Sequence, residues 1–171
     1  MKLFRGDEMA PEVVKIPSME RREYDRLIEE EHVCRIAFKG DRYPYIAPFV
    51  YVFDGRFMYF LSTKYGKKID FFREDPHVSV EVERFSPDLS SYRFVTLRGR
   101  LVEVGDPEEK RAVRERFVDL IRRKNLSRNV LFALGHSPTD PLDSIVEEER
   151  SIVWKLVDVE KIVGLKDGEK I

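Results

Sequence analysis

Apolar residues recur every second position along much of the chain, the period of a strand with one buried face. Val33–Lys39 sets Cys34, Ile36 and Phe38 on one side. Pro44–Phe53 is apolar on both sides: Tyr45, Ala47, Phe49, Tyr51 and Phe53 point one way, and Ile46, Pro48, Val50 and Val52 the other. Such a strand suits a barrel wall or a subunit interface. Asp54-Gly55 is a hairpin signal joining it to Phe57–Leu61. His77–Glu83 alternates with Val78, Val80 and Val82 inward; Tyr92–Val104 is longer; Ser151–Val157 sets Ile152, Trp154 and Leu156 together. Gly99, inside the long strand, predicts a bulge or a close approach by another backbone.

The period changes in a few places. Ser18 is positioned to cap a helix running to about Glu31, with Tyr24, Leu27 and Ile28 as its apolar stripe. Asp106-Pro107-Glu108-Glu109 combines a cap, an early proline and first-turn acids, and opens a long helix carrying Val113, Phe117, Leu120 and Ile121. Its basic residues, interleaved with Glu115 and Asp119, read as a solvated face. Asn129–Leu134 adds one or two helical turns stopped by Gly135. Residues 1–17 read as an extended arm, the segment from Asp158 as a turn fading into disorder, and residues 166–171 as a flexible tail. Six mostly antiparallel strands with helices at the ends predict a mainly β single domain over residues 18–165, a small closed or split barrel.

Composition narrows the function classes. The 31 basic and 32 acidic residues balance to a net charge of −1, which argues against a chain built to coat nucleic acid or an anionic membrane. The N-terminal residues Lys2, Arg5, Asp7 and Glu8 surround no apolar run, so they do not read as a signal peptide. Cys34 is the one cysteine, so no intrachain disulfide can form, which is consistent with a cytoplasmic protein. It reads as a small buried hydrophobe rather than a nucleophile. His32, His77 and His136 lack zinc-ligand spacing, and they read as surface or hydrogen-bonded residues. A single axial haem ligand among them stays open.

The chemistry concentrates in RFMYFLSTKYGKKIDFFRE, Arg56 to Glu74. A buried strand runs into Ser62-Thr63, Gly66 permits a tight turn, and Lys67 and Lys68 enter a short helix against its dipole. Two hydroxyls, a glycine turn, free N–H groups and two ammonium groups describe a phosphate cradle. An ordinary lysine-rich turn accounts for the same residues. Pro48 removes a ladder donor, so its strand should be open or bulged there. A flat ligand could lie against that break; a sheet edge protected by proline is the alternative.

The order of helix, strand, PYIAPFVYVFDGRFMYFLSTKYGKKIDFFREDPHVSVEVE, then RFVTLRGRLVEVGDPEEK and a long helix resembles the FMN-binding split-barrel superfamily. It looks closest to the small pyridoxamine-phosphate-oxidase-related proteins that include the nitroimidazole-resistance reductases. The resemblance implies a six-stranded antiparallel Greek-key split barrel, dimerising with itself around an FMN in each of two clefts between subunits. It places the phosphate-binding run on Leu61, Ser62, Thr63, Lys67 and Lys68, and the flavin-side strand on Ile46 to Tyr51. Main-chain groups of Pro48 and Val50 would meet the ring, with Tyr51 beside them. Trp154 is the candidate late aromatic, and a core tryptophan is its alternative role. Ile46 and Tyr51 stand where pyridoxamine-phosphate oxidases carry basic residues, and Phe94 stands where they carry a glutamine.

The implied activity is an NAD(P)H-linked oxidoreductase passing electrons to a small acceptor. Flavin chemistry asks little of side chains, in keeping with a chain that shows no triad, acid pair or metal spacing. Two other readings stay open: a flavin-binding protein for storage or sensing, and a haem- or deazaflavin-binding member of the fold.

Overall fold

The structure is a computed structural model and describes residues 12–168. Six strands close an antiparallel barrel: β1 (Val33–Phe38), β2 (Tyr45–Phe53), β3 (Met58–Thr63), β4 (His77–Phe85), β5 (Tyr92–Glu103) and β6 (Ser151–Lys166), in spatial order β1-β2-β3-β6-β5-β4. The helices are α1 (Arg21–Glu30), α2 (Lys67–Glu74), α3 (Pro107–Arg123), α4 (Val130–Ala133) and α5 (Ser144–Glu147). This is the mainly β, split-barrel class that the strand pattern predicts.

Strand alternation separates two cores. Ile36, Phe38, Phe49, Phe60, Val80, Val95, Leu101 and Trp154 point into the barrel and are buried. Val52, Tyr59, Leu61 and Val153 point outward from β2, β3 and β6, under Phe117, Ile121, Leu131 and Ile145 of α3 to α5. Strand β3 is therefore buried along its whole length, which explains its unbroken apolar run.

The local devices are identifiable. Asp54 Oδ1 accepts from the amides of Arg56 (2.8 Å) and Phe57 (2.7 Å), closing the β2–β3 hairpin, and Gly55 takes φ 95°. Asp106 caps α3 by accepting from Glu109 N at 2.8 Å. Val157 O lies 2.7 Å from where a Cβ on Gly99 would sit, and the β5–β6 register shifts between Arg98 and Arg100. Both features expected at Gly99 are present.

Three sequence expectations are corrected, and one helix is added. Helix α1 is capped by a Glu20–Glu23 capping box rather than by Ser18, which is bridged to Leu165 of β6, while Met19 N donates to Gly164 O. The segment from Asp158 is no fading turn: Lys161 to Lys166 pair with Arg93 to Arg98 of β5. Helix α5 has no counterpart in the sequence reading. Arg114, assigned to the solvated face of α3, is only 2% exposed. Of the N-terminal arm, residues 1–11 lie outside the described residues; residues 12–17 are exposed, and Pro17 O accepts from Lys166 N.

Candidate functional site

The β2–β3 ladder is short. Tyr51, Val52 and Phe53 pair with Phe60, Tyr59 and Met58, and pairing stops there. Below that point β2 still pairs with β1, and β3 with β6. Tyr51 N donates to His32 O on the β1 side. Alternation along an antiparallel strand then turns the polar main-chain groups of Ile46, Pro48 and Val50 toward the open side. The missing N–H of Pro48 consequently costs no bond to β1, and the proline lies where the barrel wall splits.

A cleft of about 260 Å³ occupies this split. Ala47, Pro48 and Val50 form one wall; Leu61, Ser62 and Thr63 form the other; Tyr65 and Lys68 close one end, and Ala133 and Leu134 belong to the rim. Lys68 Nζ donates to Thr63 Oγ1 at 2.8 Å. No carboxylate lies within 4 Å of it among the described residues. Burial pulls its ammonium pKa below the ordinary lysine value. Ser62 Oγ is buried and donates to Thr63 O at 2.9 Å. Gly66, at φ 99°, makes the turn that brings the start of α2 over the end of β3.

Six of the residues singled out by sequence therefore meet in one cleft: Pro48, Val50, Leu61, Ser62, Thr63 and Lys68. Three others do not line it. Lys67 is exposed on the outer side of α2. Tyr51 faces the barrel interior, 1% exposed, and its hydroxyl donates to Ile28 O at 2.7 Å. Trp154 is fully buried against Phe38, Phe49 and Phe72, so its place is in the barrel core. The sequence reading missed Ala133 and Leu134, because the α4 segment meets β2 only through tertiary packing, and it did not single out Tyr65 within the turn between β3 and α2. Cys34 is buried, and burial pushes its thiol pKa far up, which leaves it inert.

The histidines lie away from the cleft lining. His77 is exposed, with Nδ1 2.7 Å from Asp75 Oδ1. His136 is 3% exposed, with Nδ1 3.1 Å from Ser144 Oγ. A larger hollow of about 500 Å³ crosses the ends of β1 and β4 near Gly99. Much of its charge is internally paired, Lys39 with Asp75 at 3.5 Å and Arg100 with Asp158 at 2.6 Å. The smaller cleft is the better site because it combines an unpaired strand edge with a cation that has no anionic partner.

Comparison with known proteins agrees with the architecture. A family model described as pyridoxamine 5'-phosphate oxidase matches residues 20–140. The chain belongs to this family. An uncharacterized protein of Rhizobium meliloti (strain 1021) is 31% identical over 86 residues, half of this chain and 56% of that protein. The chain thus spans little more than half the length of that relative. A FAD-binding protein from Mesorhizobium loti superposes with a TM-score of 0.67 at 19% identity, over 91% of this chain and all of the other. A candidate 5-nitroimidazole antibiotic resistance protein from Bacteroides thetaiotaomicron superposes with a TM-score of 0.61 at 18% identity, over 91% and 92% of the two chains. At these identities the superpositions establish the split-barrel fold that the family match also implies.

Proposed function

We propose that the chain is an FMN-binding flavoprotein that works as an NAD(P)H-linked oxidoreductase on a small electron acceptor. One observation carries this reading. The unpaired edge of β2 and the Lys68–Thr63 pair lie in a single cleft. The first offers main-chain donors and acceptors suited to the rim of a flat heterocycle. The second offers a hydroxyl and a cation suited to a phosphate.

The residues present fit that group. Pro48 O and the main chain of Val50 would meet the ring, and Ser62, Thr63 and Lys68 would hold the phosphate. Lys67 adds long-range positive potential from the first turn of α2. When bound, the flavin supplies hydride and electron transfer. The protein's own part is to bind, orient and exclude water. Leu61, Ala133 and Leu134 give the cleft apolar walls, and Pro48 keeps an extra strand from closing it.

Exposed apolar side chains lie on the elements that form the cleft: Tyr65, in its lining, is 75% exposed, and Ile46 and Phe132, next in sequence to the lining residues Ala47 and Ala133, are 62% and 66% exposed. We assign them to a homodimer interface that completes the site. Ile46 and Tyr51, where pyridoxamine-phosphate oxidases carry basic residues, argue against pyridoxamine phosphate as the substrate. Flavin content after replacing Lys67 and Lys68 together by alanine is the direct test. Loss of most bound flavin from a folded double variant is expected; full occupancy would overturn the phosphate assignment. Steady NAD(P)H consumption with added acceptors separates an enzyme from a storage or sensing protein.

A further inference from the structure

Beside the cleft lies a second cation that the sequence pattern did not reveal. Arg114 of α3 is 2% exposed. Its Nη1 donates to Ser151 Oγ at 3.0 Å and to Ile145 O at 3.3 Å, and its Nη2 donates to Ser151 O at 2.7 Å. Its Nε has no partner. No carboxylate lies within 4 Å of it among the described residues. Glu149 acts on it as an anion, but that side chain is exposed and bound to Lys110 at 2.9 Å. A guanidinium buried on neutral acceptors is costly unless something nearby balances its charge.

Ser151 is the cross-strand partner of Thr63. Val104 N donates to Val153 O, so the odd-numbered positions here on β6 turn their main chain toward β5 and away from β3. Thr63 and Ser151 therefore form a non-hydrogen-bonded pair, the arrangement in which facing side chains come closest, with Cα atoms about 4.5 Å apart. Both hydroxyls lie on the outer face of the barrel. One carries Lys68 and the other carries Arg114.

We propose that Arg114 is a positioning residue that makes the cleft select a terminal phosphate monoester dianion, acting through Ser151 and the neighbouring Thr63 rather than by touching the ligand. This rests on the phosphate assignment above and extends it. Lys68 meets the anion directly. Arg114, fixed in a low-dielectric interior, supplies the second positive charge that a dianion requires. The two cations lack carboxylate partners because the ligand is their shared counter-ion.

The test compares binding of riboflavin 5'-phosphate and riboflavin by flavin fluorescence in wild type, Arg114→Met and Arg114→Lys. Wild type is expected to prefer the phosphorylated flavin. Arg114→Met should lose about tenfold or more of that preference, the scale of one charge-assisted interaction, while keeping its riboflavin affinity. Arg114→Lys should keep most of the preference. An unchanged preference in Arg114→Met, or an equal loss for both flavins, would overturn the inference. If Arg114→Met does not fold, Ser151→Ala takes its place, and the same partial loss confined to the phosphorylated flavin is expected. Inorganic phosphate keeps the two readings apart. If wild type binds neither flavin, yet phosphate raises its Tm and not that of the Arg114 variant, the flavin assignment fails and the dianion site stands. If phosphate has no effect and no flavin binds, both fail.

Discussion

Lys68 and Lys67 are neighbours in sequence but not in role. Lys68 reaches back to Thr63 Oγ1 and lines the cleft, whereas Lys67 faces solvent. Lys68→Ala is therefore expected to weaken FMN binding roughly 10- to 100-fold, the worth of a hydrogen bond to a charged group, and Lys67→Ala by only a few-fold. Isothermal titration of each single variant checks the difference. His136 gives a second prediction at this scale. It is buried beside Ser144 with Nε2 unpartnered, and Asp140, Arg150, Glu148 and Arg114 also act on it. Burial is the largest influence and lowers its pKa below the ordinary histidine value. The unfolded chain then takes up a proton more readily than the folded one. The stability held by neutral His136 is full above about pH 6.5 and declines as pH falls below it. His32, lowered by burial as well, adds in the same direction. Melting temperature should fall between pH 7 and pH 5, and His136→Gln should flatten part of that slope.

The elements show what alternation can and cannot reveal. Cys34, Ile36 and Phe38, or Val78, Val80 and Val82, are legible because each faces one dry barrel interior at period two. The start of α3 is legible because Asp106 and Pro107 act within one turn; Asp106→Ala should destabilise the fold by about 1 kcal/mol in a denaturant titration. The second half of β6 was not legible. Val159, Ile162 and Val163 stay about 40% exposed, so a main-chain ladder with β5 holds that segment and no core-facing pattern marks it. Arg114 escaped for the opposite reason. It is a charged residue beside Glu115 in the sequence, and the acceptors that bury it, Ile145 of α5 and Ser151 of β6, lie far along the chain. Of the candidate cleft, the β2 and β3 walls were readable from Pro48 and Ser62-Thr63. The α4 rim was not, since four helical residues carry too little period to place. Gly99 ties β5 to β6, and Gly99→Ala would put a methyl 2.7 Å from Val157 O. A loss of about 1–3 kcal/mol is expected, seen as a lowered Tm.

At the scale of the whole molecule, a barrel closed on β1 and β4 opens between β2 and β3, where its apolar rim reaches solvent. The family match and the superpositions establish the fold, and the split is what makes the cleft a candidate site: one interrupted ladder exposes main-chain groups beside a cation. The homodimer assignment predicts that Ile46→Arg shifts the sedimentation of the protein toward monomer and weakens flavin binding together. A dimer unaffected by that change would place the interface elsewhere. No helix among the described residues is long and apolar enough to cross a membrane. The most direct measurement is the visible absorption spectrum of the purified protein, before and after incubation with riboflavin 5'-phosphate and removal of the excess. The account predicts an oxidised-flavin spectrum at about one equivalent per chain, reduced by Lys68→Ala. Colourless wild-type protein after that incubation, or a haem spectrum in its place, would contradict it.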